Sequence, residues 1–170
     1  MEFDADSVDG VICRFGYMLM ADPAAALAET RRVLRPAGRL TLAVWGAPER
    51  NPFFTAAVMA LVQRGHVAPP EPGGPGIFAL AGRERTTALL AGAGFSEVRT
   101  EEVPVRFAIP SIDEYVQIVA DTAGPLGLAL RALPDAEREA VKAQSAAALE
   151  RCVVDNGYEI PGVALCAVAR

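Results

Sequence analysis

Within its first 45 residues the chain spells out a strand, a helix and a second strand joined by short connections. Val8 to Cys13 is short and mostly apolar. Val11, Ile12 and Cys13 run consecutively, which predicts a strand covered on both sides in a parallel sheet. After the connection Arg14 to Ala21, Asp22 is placed to cap a helix and Pro23 suits its first turn. Ala26, Leu27, Thr30, Val33 and Leu34 recur on one face at helical spacing. Pro36 and Gly38 end that helix, and Arg39 to Trp45 makes a second strand, again apolar on both faces. Parallel strands joined through a helix form a right-handed crossover, so the pattern selects an α/β fold.

The rest of the chain elaborates this unit. Asn51 is expected to cap a helix over Pro52 to Arg64, stopped by Gly65. His66 to Gly76 is a loop rich in Pro and Gly. A short helix near Arg85 to Ala91 leads through Gly92 and Gly94 into strand-like residues from Val98 to Phe107, where Pro104 argues for an edge or a bulge. Ser111 and Glu114 have capping-box spacing and open another helix, and a further helix covers roughly Asp135 to Val153. Asn156-Gly157 signals a tight turn before a last strand, Val163 to Val168. The expected organisation is a single domain over 1–170. It comprises a core (1–108), a helical insertion (109–157) and a terminal segment carrying the last strand (158–170).

Apolar residues make up 52% of the chain and charged residues 22%, the balance of a globular protein. A net charge of −5, with basic residues scattered among acids, argues against a nucleic-acid partner, whose phosphates require clustered Lys and Arg. Arg31, Arg32 and Arg35 sit where a helix ends and complement its dipole. No window of about 18 residues is apolar and uncharged, so no membrane span is expected. The opening residues do not read as a signal peptide. Cys13, Cys152 and Cys166 lack metal-ligand spacing and read as small buried residues in a reducing compartment, so a cytoplasmic location is expected.

The stretch from Ser7 to Gly16 (Ser-Val-Asp-Gly-Val-Ile-Cys-Arg-Phe-Gly) resembles the fourth-strand motif of class I S-adenosylmethionine-dependent methyltransferases. Asp22-Pro23, Leu27, Glu29 and the run Arg32-Val33-Leu34-Arg35-Pro36-Ala37-Gly38-Arg39-Leu40 resemble the helix and turn feeding the fifth strand in the ubiquinone/menaquinone-biosynthesis-like branch. Leu89-Leu90, Ala93-Gly94-Phe95 and Val98 are similar to the family's passage into its sixth strand. Ala37 stands where the family commonly has glycine. The resemblance implies a truncated doubly wound, mostly parallel sheet comprising the family's last four strands. Flanking helices surround it, and a helical insertion precedes the last strand. Met1-Glu2-Phe3 aligns with the segment just after the family's third strand, so the chain is expected to start beyond the glycine loop and the acidic residue that hold the cofactor.

The resemblance further implies that Cys13, Arg14, Phe15 and Gly16 line the methionine end of S-adenosylmethionine. Tyr17 and Trp45 are candidates for walling a small-molecule acceptor site, with core packing as the alternative for each. His66, the sole histidine, is a candidate at the substrate site or an ordinary loop residue. No catalytic residue is assigned, because methyl transfer to a nucleophilic acceptor chiefly requires alignment and exclusion of water. A micromolar ligand needs about 8 kcal/mol, and hydrogen bonds to charged groups supply about 1.5–3 kcal/mol each. Without the glycine loop and acidic partner, the chain alone is therefore expected to be inactive or very weak. Val8 to Cys13 would then form an open edge, to be covered by a second copy or a companion chain. The rival readings are a non-catalytic dimerising or binding module, and an unrelated α/β enzyme that shares the sheet.

Overall fold

The structure is a computed structural model that describes residues 2–71 and 74–170. Met1 in the N-terminal alignment, and residues 72 and 73 of the expected loop, lie outside the described residues. The elements in chain order are β1 (Val8–Arg14), α1 (Pro23–Val33), β2 (Leu34–Trp45), α2 (Pro52–Gln63), α3 (Arg83–Gly92), β3 (Arg99–Ile109), α4 (Ile112–Thr122), α5 (Pro125–Ala132), α6 (Asp135–Ala148), β4 (Val153–Val154) and β5 (Gly157–Ala169). The sheet order is β1-β2-β5-β3, with β4 pairing β5.

β1 and β2 are parallel, with Ile12 beside Thr41 and Cys13 beside Leu42. β2 and β5 are antiparallel, as are β4 and β5. The sheet is thus mixed, and the expectation of a mostly parallel sheet is corrected. An antiparallel β5 needs no crossover helix beside β2. β1 and β3 occupy the two ends of the strand path, so Pro104 sits in an edge strand, where a missing donor is tolerated.

The contacts group the chain into two compact units. The first comprises Met1–Ala47, Glu71–Pro104 and Val163–Arg170. Its core gathers Leu27, Leu34, Leu40, Leu42, Val44 and Leu165 with Leu80, Leu90 and Phe95. Asp22 caps α1, its carboxylate accepting from the Ala25 amide at 2.9 Å. α3 ends with Gly94 at φ +88° and a bond from the Phe95 amide to the Leu90 carbonyl, a stop that only glycine makes without strain.

Both β1 and β2 are covered on one face only, where coverage on two was expected. Along β2, Leu40, Leu42 and Val44 are buried, whereas Arg39, Thr41, Ala43 and Trp45 are not. On β1, Val11 and Cys13 join the core and Ile12 is 85% exposed. β2 also starts earlier than predicted. Helix α1 stops at Val33, and a bulge separates the Val8–Leu34 pair from the Gly10–Arg39 pair. Ala37 takes φ +66° within that bulge, and Asp9 pairs with Arg35 at 2.6 Å to tie it down. Arg32 makes a bidentate pair with Glu29 rather than serving the helix dipole alone.

The second unit comprises Pro48–Pro70 and Val105–Gly162. Its core packs Phe53, Leu61, Tyr115, Leu130, Val141, Leu149 and Ile160. Ser111 caps α4 through the Glu114 amide at 3.1 Å. Tyr115 is fully buried, and its hydroxyl donates to the Phe53 carbonyl at 2.9 Å while accepting from the Ala57 amide at 3.1 Å. Burial pushes the phenol up to about 12. Asn51 precedes α2 but makes no side-chain cap; it is buried, with Oδ1 close to Gly162. α6 ends at Ala148, short of Val153, and α5 was not anticipated. The tight turn is Asp155-Asn156, one residue earlier than predicted. Gly157 opens β5 because any Cβ there would collide with the Ile109 carbonyl oxygen. The last strand accordingly begins at Gly157 rather than Val163. The three cysteines are free and half-buried rather than buried.

Candidate functional site

Parallel strands end at the same rim, and the carboxyl ends of such strands are where open α/β sheets bind ligands. Here that rim is formed by Cys13-Arg14-Phe15-Gly16 at the end of β1 and Trp45-Gly46 at the end of β2. The chain leaves β1 through Phe15, whose φ of +57° is a left-handed conformation in a non-glycine residue. Such a conformation costs about 1–3 kcal/mol. Two contacts hold it: the Phe15 amide donates to the Ala43 carbonyl at 2.8 Å, and its ring stacks on Trp45 with centroids 4.3 Å apart and planes 12° from parallel. Stacking of this kind contributes about 0.5–1.5 kcal/mol beyond burial.

Gly16 follows because a Cβ there would stand 2.6 Å from Cys13 Sγ. Gly16 thus leaves room for the Cys13 thiol, and Arg14 between Cys13 and Phe15 is exposed. Gly46 fixes the β2 side, its amide donating to the Val163 carbonyl at 2.8 Å. Four predicted cofactor residues and one predicted substrate residue, Trp45, therefore share one rim.

Tyr17 does not join them as a wall residue. It is 4% exposed, and its hydroxyl lies 2.6 Å from the Thr30 hydroxyl; burial raises its pKa. Tyr17 is core. His66 belongs to the second unit, where its Nε2 lies 2.9 Å from the Glu137 carboxylate, which Arg64 also contacts at 2.8 Å. These bonds, first from His66 and then from Arg64, hold Glu137 below the usual carboxylate range. The arrangement ties the end of α2 to α6. Sequence reading missed Glu137 and Thr30 as partners, since separations of 71 and 13 residues carry no periodic signal.

Two open clefts of about 510 and 720 Å³ lie away from these residues, one beside Pro110 and Tyr158, the other between α1 and α3. Among the described residues no group of three or more His, Cys, Asp and Glu could hold a metal ion, and no helix is long and apolar enough to cross a membrane.

Residues 1–42 match the family model of the methyltransferase domain. Among solved structures, a Bacillus halodurans protein assigned as a methyltransferase superposes with a TM-score of 0.54 at 17% identity, over 100% of this chain and 72% of its own. An Anabaena variabilis protein, assigned as a methyltransferase of an antibiotic biosynthesis pathway, gives 0.53 at 14% identity over 98% and 68%. The YcgJ protein of Bacillus subtilis gives 0.51 at 17% identity over 99% and 66%. Comparison with curated proteins gave no match. The chain thus spans about two thirds to three quarters of these neighbours. It has a methyltransferase-like α/β fold, and its first 42 residues match part of the methyltransferase-domain model.

Proposed function

We propose that this chain is the carboxyl-terminal portion of a methyltransferase of the ubiquinone/menaquinone-biosynthesis-like branch that uses S-adenosylmethionine on a small molecule, and that turnover needs further polypeptide carrying a glycine loop. The observation that carries the reading is the rim itself. Phe15 is held in a strained conformation at the carboxyl end of β1, against Trp45 at the end of β2. Strained residues persist only where their surroundings hold them, and they cluster at ligand sites.

The rim residues fit one end of the cofactor. Arg14 offers an exposed guanidinium suited to a carboxylate, and the aromatic pair provides an apolar wall near it. Neither 13–17 nor 43–47 contains an acidic residue for ribose hydroxyls, and the sequence holds no Gly-x-Gly-x-Gly. When bound, S-adenosylmethionine supplies an electrophilic methyl group; the chain's own part is to hold the methionine end and exclude water.

Titration calorimetry with S-adenosylhomocysteine tests this reading. The chain alone should bind more weakly than about 100 µM, roughly −5.5 kcal/mol. Tighter binding would remove the need for further polypeptide. Amide resonances of residues 13–16 and 45 should shift at millimolar ligand, and their silence would sink the rim assignment. A second reading, a non-catalytic dimerising module, is favoured by the 85% exposure of Ile12 on an edge strand.

A further inference from the structure

Residues 15–20, which lead the chain away from the rim, are anchored at several points. At the start the Phe15 amide donates to the Ala43 carbonyl of β2 at 2.8 Å. Farther on, Tyr17 and Met18 are buried in the core of the first unit, and the Gly76 amide donates to the Met18 carbonyl at 3.1 Å. A polar contact also reaches into α1, where the Tyr17 and Thr30 hydroxyls lie 2.6 Å apart and both residues are buried. The direction of that bond follows from counting protons. The Thr30 hydroxyl carries one hydrogen and directs it to the Ala26 carbonyl at 2.9 Å. Tyr17 is therefore the donor and Thr30 the acceptor. The pair of bonds ends on the backbone of α1, so the phenol is tied to the helix itself.

Taking the rim as a cofactor site, we infer that Thr30 is a positioning residue for it: by accepting from Tyr17 it fixes the segment behind Phe15 and so keeps Phe15 left-handed and stacked on Trp45. A residue held at φ +57° relaxes unless its surroundings restrain the chain on both sides of it. Ala43 restrains the amide side. On the carbonyl side comes Gly16, which has no side chain to brace the turn, and the next fixed point is Tyr17. Packing of the Tyr17 ring alone is non-directional, whereas a short bond between two buried hydroxyls sets both distance and direction. Thr30 lies in α1, away from Phe15 and Trp45 in the sequence, and acts on them through Tyr17.

The experiment compares Thr30→Val, which keeps the shape but removes the acceptor, with Thr30→Ser, which keeps the hydroxyl. The first readout needs no ligand. Emission of Trp45, the single tryptophan, should shift to the red in Thr30→Val as the stack loosens, and should stay in place in Thr30→Ser. The second is affinity for S-adenosylhomocysteine, followed through the amide resonances of residues 13–16 and 45. Thr30→Val should raise the dissociation constant about fivefold, which corresponds to roughly 1 kcal/mol, and Thr30→Ser should leave it unchanged. Tyr17→Phe should raise it by a similar factor with a smaller loss of Tm, because Thr30 still donates to Ala26 and no buried donor is orphaned. Tyr115→Phe, which loses buried hydroxyl bonds in the second unit, controls for stability alone and should move neither readout. Unchanged emission in Thr30→Val, or an equal shift in Thr30→Ser or Tyr115→Phe, overturns the proposal. So does a shifted emission with unchanged affinity. If the parent chain's resonances ignore the ligand, the cofactor reading fails, while the emission series still decides whether Thr30 holds the stack.

Discussion

Ala37→Gly should stabilise the protein, although it removes a methyl group and loosens the unfolded chain. Ala37 sits in the bulge between α1 and the regular part of β2 at φ +66°. A side chain there crowds the following carbonyl and costs about 1–2 kcal/mol that glycine does not incur. Glycine also widens the unfolded ensemble, which costs about 0.4–1 kcal/mol. Ala37 is exposed, so no buried contact is lost. The balance is a gain of about 0.5–1 kcal/mol. For a chain of this size that corresponds to roughly 1–4 °C in Tm. Urea titration should show a higher midpoint at unchanged slope, since the surface exposed on unfolding stays the same. Ala37→Val should shift the midpoint the other way, because a β-branched residue tolerates this conformation least. A lower midpoint for Ala37→Gly would refute the reasoning, for the left-handed backbone would then not be what limits this turn.

The same angle at Phe15 should respond oppositely: Phe15→Gly relieves the backbone but removes the stack on Trp45, and tryptophan emission should shift to the red as the indole gains water. Gly16→Ala should destabilise by about 1–3 kcal/mol through overpacking against Cys13 Sγ. Adding Cys13→Ala should recover much of that loss in thermal unfolding; no recovery would place the clash elsewhere. Tyr115→Phe removes a hydroxyl bonded to both Phe53 and Ala57 and should cost about 1–3 kcal/mol in chemical denaturation. Glu29 is lowered from an ordinary 4.5 to about 2, chiefly by its bond to Arg32. Because the folded value is the depressed one, its contribution is complete above about pH 4.5 and lost as pH falls towards 2. Glu29→Gln should therefore lower Tm at pH 7 and match the parent near pH 2; a difference that persists unchanged to pH 2 would exclude this linkage.

The sequence made legible whatever is fixed by neighbours along the chain. Asp22-Pro23, Ala93-Gly94-Phe95 and Ser111 set helix ends through local hydrogen bonds, and each does so in the structure. What it hid depends on distant covering. Val11, Ile12 and Cys13 are alike in polarity, so no pattern within β1 reveals that Ile12 faces solvent while its neighbours face a core. Helix α5 went unread, although Pro125 is at home in its first turn. The Asn156-Gly157 pair signalled a turn correctly in kind. Its register, however, puts Gly157 where a Cβ would collide with the Ile109 carbonyl oxygen, a neighbour 48 residues away. At the rim, Phe15 and Trp45 were both singled out, but their stacking required the parallel register of β1 and β2 to bring them together.

An edge strand with a bare face would ordinarily fray, and what prevents this bears on how the rim works. The Asp6 and Ser7 amides donate to the Arg32 and Val33 carbonyls at 3.1 and 2.9 Å, pinning the start of β1 to the end of α1. Asp9 pairs with Arg35 across the bulge, and the Phe15 amide closes the far end onto Ala43. Every one of these bonds lies within residues 6–43, the strand–helix–strand unit and its immediate flanks. The strained Phe15, the Gly16 contact and the aromatic stack are therefore assembled by the strand–helix–strand unit itself, without help from whatever covers Ile12. A partner docking on the bare face would add groups to a finished wall rather than create one. Association and rim geometry should then be separable: Ile12→Asp should abolish the first while leaving the resonances of residues 13–16 where they were.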